Sequence, residues 1–175
     1  MNTMMKRPAR TAVRTVFAFA IAALAAPVAV EAQQPTQQYQ QAISANPFGL
    51  LLEFFNAEYE RVMTEASTAG VGGSFVSIDG DNYVNADVFF RFYPQGIPLS
   101  GWAFGAKVGL TRVPDHGTFF GAGFDVNRSW LLGKNDNFYV GTGFGLKRLF
   151  GTGDDAGFDV RFVPTIRIVN VGFAF

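Results

Sequence analysis

The stretch Tyr83-Val84-Asn85-Ala86-Asp87-Val88-Phe89-Phe90-Arg91-Phe92-Tyr93 sorts into two faces at a period of two. Val84, Ala86, Val88, Phe90 and Phe92 share one face, and Asn85, Asp87, Phe89, Arg91 and Tyr93 the other. Alternation over this length predicts a β-strand rather than a helix, because successive strand side chains point to opposite sides. One face is apolar and bulky. The other carries charges of both signs.

The same division recurs along the chain. Trp102, Phe104, Ala106, Val108 and Leu110 oppose Ala103, Gly105, Lys107, Gly109 and Thr111. Phe120, Ala122, Phe124 and Val126 oppose Gly121, Gly123, Asp125 and Asn127, and Phe138, Val140, Phe144 and Leu146 oppose Tyr139, Gly141, Gly143, Gly145 and Lys147. Weaker alternation places Phe55, Ala57 and Tyr59 against Asn56, Glu58 and Glu60, and runs from Ala69 to Ile78 around Gly70, Gly72 and Ser74. Turn-rich clusters fall between the runs, at 64–67, 79–82, 94–100, 114–117, 133–137 and 151–157. The pattern predicts an all-β chain with strands near 54–63, 68–78, 83–93, 101–112, 118–130, 138–148 and 165–175, arranged as an up-and-down antiparallel meander.

The chemistry of the two faces decides which is wet. The face with Glu58, Glu60, Asp87, Arg91, Lys107, Asp125 and Lys147 also holds most of the strand glycines. Charges of both signs beside glycines suit a narrow lumen filled by ion pairs. The continuous Phe, Trp and Val face is too large for so small an interior and suits hydrocarbon. In lipid every backbone polar group needs a partner, which a closed barrel supplies. The expected fold is therefore a transmembrane β-barrel. Single-chain bacterial barrels have an even number of strands, so eight are expected, with Ile43 to Leu52 as the eighth and 53–56 as its turn. Phe158, Val160 and Phe162 follow one parity and Val169 to Phe175 the other, which predicts either a β-bulge near Pro164 or a loop extension of Gly157 to Val163 above the membrane.

The N-terminus reads as a secretory signal. Lys6, Arg7, Arg10 and Arg14 precede an apolar stretch from Val16 to Ala26, and Val30-Glu31-Ala32 offers small residues for cleavage after Ala32. The apolar run is too short to span a bilayer as a helix, which needs roughly 20 residues. The expected organisation is a signal peptide over 1–32, a disordered Gln-rich tether over 33–42 and a barrel over 43–175. Removing the four leader cations and Glu31 from 14 basic and 14 acidic residues leaves ten and thirteen, a net charge near −3. That balance argues against nucleic-acid binding. The chain has 20 Phe, 20 Gly and no Cys, so neither disulfides nor thiolate metal sites arise.

The last residues, Val169, Val171, Phe173 and Phe175 alternating with Ile168, Asn170, Gly172 and Ala174, end the chain on an aromatic. With Asn46-Pro47-Phe48-Gly49-Leu50-Leu51 and Glu58-Tyr59-Glu60-Arg61, this resembles the small outer-membrane β-barrel families (OmpA/OmpX-like, and the outer-membrane protein β-barrel domain group) over roughly Asn46 to Phe175. The resemblance implies residence in the bacterial outer membrane among phospholipid and lipopolysaccharide. It implies recognition of Val171, Phe173 and Phe175 by the barrel assembly machinery after escort by periplasmic chaperones. A monomer with a structural, envelope-integrity role and no catalysis, cofactor or metal is expected.

Other chemistries carry less. A narrow, porin-like solute conduit could use the luminal charges, but eight strands leave room for packed side chains rather than a channel. His116, the sole histidine, sits in Val113-Pro114-Asp115-His116-Gly117, without the nearby serine that a lipid A-modifying hydrolase needs. Asp79-Gly80-Asp81-Asn82 begins like a calcium loop but has Phe90 where the twelfth-position acid belongs. The glycines of 151–157 lack the strand-to-helix setting of a dinucleotide site. Asp154 and Asp155 could bridge a divalent ion to lipid phosphates, though a solvated loop pair is expected. Trp102, Tyr93, Trp130 and Tyr139 lie near strand ends, where amphipathic rings favour the membrane interface.

Overall fold

Alternating β-branched and aromatic residues with few helix formers build strands throughout a computed structural model that describes residues 39–48, 54–78, 81–151 and 162–175. The leader and most of the tether lie outside the described residues. Eight strands follow one another: β1 (Gln41–Ala45), β2 (Phe54–Thr64), β3 (Ser67–Ile78), β4 (Asp81–Phe92), β5 (Gly101–Val113), β6 (Gly117–Leu132), β7 (Phe138–Leu149) and β8 (Phe162–Ala174). Each pairs antiparallel with its sequence neighbour, and β1 pairs with β8 to close the barrel. No helix occurs among the described residues.

The expected eighth strand needs correction. It starts two residues earlier than Ile43, taking Gln41 and Ala42 from the predicted tether, and it stops at Ala45 rather than Leu52. Asn46 ends it. The Phe48 N–H donates to Asn46 Oδ1 at 2.9 Å, an Asx turn that competes with further strand pairing. Residues 49–53 lie outside the described residues, and Phe54–Asn56, expected as a turn, already belong to β2.

The bulge in β8 also lies elsewhere. Pro164 pairs regularly with Leu146, and the register slips where Gly141 faces Asn170 but Gly143 faces Arg167. The extra residue is therefore at Ile168–Val169. Thr142, opposite the slip, donates its hydroxyl to the Arg167 carbonyl at 3.0 Å and so satisfies an acceptor that the bulge displaces from the ladder.

Two of the described hairpins are tight. Glu65–Ala66 joins β2 to β3, and Pro114–His116 joins β5 to β6, with Gly117 at a φ of +99° that only glycine adopts freely. The longer β4–β5 connection folds back into the barrel, burying Leu99 completely.

Candidate functional site

Parity along each strand puts the bulky side chains outside. Phe90, Phe104, Phe124 and Phe144 are 49%, 52%, 59% and 46% exposed, whereas Arg91 and Lys147 are 1% and 0% exposed. The barrel is thus inverted relative to a water-soluble one: an apolar exterior surrounds a polar interior.

At mid-barrel the structure brings six charged side chains together. Arg91 Nη1 from β4 lies 2.9 Å from Glu58 Oε2 and 2.7 Å from Glu60 Oε2, both on β2. Its Nε is 3.7 Å from Asp125 Oδ1 on β6, and Lys107 Nζ on β5 is 2.9 Å from Asp125 Oδ2. Arg167 on β8 completes the ring, its Nη2 at 3.4 Å from Glu58. Lys147 and Asp87 form a separate pair at 2.6 Å. All seven residues expected to face the lumen do so. Four acids and four cations balance inside the described barrel, as burial of charge requires.

Neutral groups fill the remaining hydrogen-bonding capacity. Glu60 accepts from the Thr68 hydroxyl at 2.5 Å and from the Tyr93 hydroxyl at 2.7 Å. Arg167 Nη2 donates to the Tyr139 hydroxyl at 2.8 Å and to Ser44 Oγ at 3.3 Å, and Lys107 donates to Thr165 Oγ1 at 2.9 Å. Asn127 donates to Asp125, and Thr111 donates to Asn85 Oδ1 at 2.6 Å. Tyr93 and Tyr139, expected at the membrane interface, are instead buried in the lumen, because each sits on the charged parity of its strand and its hydroxyl has a partner there.

The glycines make room for this ring. A Cβ on Gly105 would sit 2.2 Å from Asp125 Oδ1 and 3.1 Å from Arg91 Cγ. Phe89, on the inward parity of β4, lies under the Arg91 guanidinium at 4.0 Å in a cation–π contact. A Cβ on Gly70 would meet its ring at 2.5 Å.

Apolar clusters sit toward both ends of the described lumen. At the end holding the chain terminus, Leu99 packs with Ala42, Tyr139 and Ala174, flanked by Tyr39, Val62 and Leu131. At the far end, Val113, Phe119 and Leu149 pack with Tyr83 and Val163. Between them remains a cavity of about 60 Å³ bordered by Asn56, Lys107, Asn127 and Arg167 among others. That is space for a few waters and not for a solute path. Asn56 Oδ1 and Arg167 Nε and Nη1 have no protein partner among the described residues.

Among the remaining candidates, the described His116 lies away from this ring. His116 is exposed in the β5–β6 turn, its Nδ1 2.8 Å from the Pro114 carbonyl. Asp79, Gly80, Asp154 and Asp155 lie outside the described residues. No group of three potential metal ligands occurs among the described residues.

Fold and interior together define a closed eight-stranded antiparallel barrel with a plugged, charge-paired lumen and an apolar outer wall. Comparison with protein families, with curated proteins and with solved structures finds no match to this chain.

Proposed function

We propose that the chain is an integral outer-membrane β-barrel protein whose role is structural, contributing a rigid, non-conducting element to the bacterial envelope without catalysis. The observation that carries this is the inverted polarity: charged pairs within, exposed Phe, Val and Leu without. Apolar surface of this extent on a water-soluble monomer is an aggregation liability, and in a bilayer it is the solvated face. The lengths of β2 to β8, 11 to 16 residues, reach or exceed the roughly 9–11 that a tilted strand needs to cross hydrocarbon. The signal-like leader and the aromatic C-terminus support export and delivery to the assembly machinery, with Phe173 on β8 and Phe175 just after it both exposed. Lipid and lipopolysaccharide are then its standing partners.

A conduit has only the small central cavity in its favour, and the clusters toward both ends of the described lumen oppose it. Fractionation of cells expressing the full chain, with electrophoresis of heated and unheated samples, tests the proposal. Recovery with outer membranes and faster migration when unheated are expected; a periplasmic, heat-insensitive protein would refute it.

A further inference from the structure

Among the described strand residues, the outward charged positions are Arg61, Arg112, Arg128 and Arg148, with no Asp or Glu among them. The interior, by contrast, balances its signs. An outer wall whose charges, among the described strand residues, are all arginines complements an anion supplied by the surroundings.

Arg128 has the most developed setting. Trp102 stands directly opposite it on β5, and Trp130 follows two residues later on the same face of β6. The guanidinium carbon lies 5.2 Å from each indole centroid. No acidic side chain pairs with it among the described residues. The rings hold the cation through their π-faces, which leaves the N–H donors uncommitted. All three side chains are partly exposed and sit near the terminal end of the barrel, Trp102 one residue into β5 and Trp130 two before the end of β6. Amphipathic rings favour the headgroup level there, while the arginine stem lies along apolar surface and its head reaches outward.

We propose that Trp102, Arg128 and Trp130 form a clamp for the phosphate of an anionic phospholipid. The guanidinium donates two parallel N–H bonds to phosphate oxygens, and the indoles line the glycerol and upper acyl region. A headgroup without its own cation is preferred, because an attached ammonium would compete for the phosphate. This deepens the membrane reading and rests on it.

The chain has two tryptophans, and both belong to the clamp, so its indole emission reports this site alone. The full-length mature protein is reconstituted in phosphatidylcholine vesicles containing a minor fraction of acyl-brominated lipid, either phosphatidylglycerol or phosphatidylcholine. Attraction of an anionic lipid to one basic residue corresponds to about fivefold local enrichment, so brominated phosphatidylglycerol is expected to quench markedly more than brominated phosphatidylcholine. Arg128→Gln is expected to remove that excess while quenching by brominated phosphatidylcholine persists, which shows that the variant is folded and inserted. The same excess in Arg128→Gln, or none in the wild type, overturns the clamp and leaves the membrane reading intact. Loss of the excess on adding inorganic phosphate at matched ionic strength overturns the lipid assignment in favour of a simple anion site. Absence of quenching by either lipid refutes the membrane reading itself.

Discussion

Replacing Arg91 with Met removes the cation at the centre of the luminal ring while keeping a long apolar stem. Three acids lose a partner, but unequally. Asp125 keeps Lys107 at 2.9 Å and Glu58 keeps Arg167 at 3.4 Å. Among the described residues, Glu60 loses the one cation that pairs with it and retains the hydroxyls of Thr68 and Tyr93. Its side chain is 3% exposed, so water cannot take over. Stranding a buried charge costs about 3–5 kcal/mol. The two retained hydroxyl bonds to a carboxylate place Arg91→Met at the lower end, about 3 kcal/mol. Urea titration of the folded barrel, followed by emission of Trp102 and Trp130, measures the loss as a shift in midpoint. Arg91→Met combined with Glu60→Gln is expected to recover part of the loss, with a coupling of about 1–3 kcal/mol, because the stranded charge is gone. A loss below about 1 kcal/mol for the single variant, or strict additivity in the double, would refute the ring as a coupled unit.

Gly105→Ala drives a methyl group into Asp125 and is expected to cost about 1–3 kcal/mol. Gly73→Ala faces outward with only the Asn85 carbonyl at 3.6 Å and is expected to stay within about 0.5 kcal/mol in the same urea assay. Phe124→Arg, on the outer wall, is expected to lower stability in vesicles by about 2–4 kcal/mol; a neutral or solubilising effect points to water outside. Planar bilayers containing the purified protein are expected to show no discrete ion currents, and stable unitary steps contradict the plugged lumen. Truncation of Phe175 is expected to slow assembly in cells, read as loss of the heat-modifiable band, without changing the mature fold's spectrum.

Most of the barrel was legible in the sequence because one face of nearly every strand is uniformly apolar. Period-two alternation located seven strands to within a few residues, and parity alone assembled Glu58, Glu60, Asp87, Arg91, Lys107, Asp125 and Lys147 on one side. Arg167 escaped that reasoning. Counted back from Phe175 it falls on the outward parity, and only the slip at Ile168–Val169 turns it inward. The tyrosines were misplaced for a different reason: position near a strand end outweighed the parity that set Tyr93 and Tyr139 among the charges. β1 was the hardest element. Its inward residues Ala42 and Ser44 are small, and in five residues it offers too few alternations to register as a period. Phe89 has the inward parity, but its use as a platform for Arg91 depends on Gly70, a cross-strand relation invisible along the chain.

Sidedness of the wall is testable at single positions, since the chain has no cysteine to interfere. Spin labels at Phe104→Cys, Phe124→Cys and Phe144→Cys in reconstituted vesicles report collisions with oxygen, which concentrates in hydrocarbon, and with a polar nickel chelate, which does not. High oxygen and low nickel accessibility at all three sites are predicted. Ready access of the nickel chelate to those labels would place water where the account puts acyl chains.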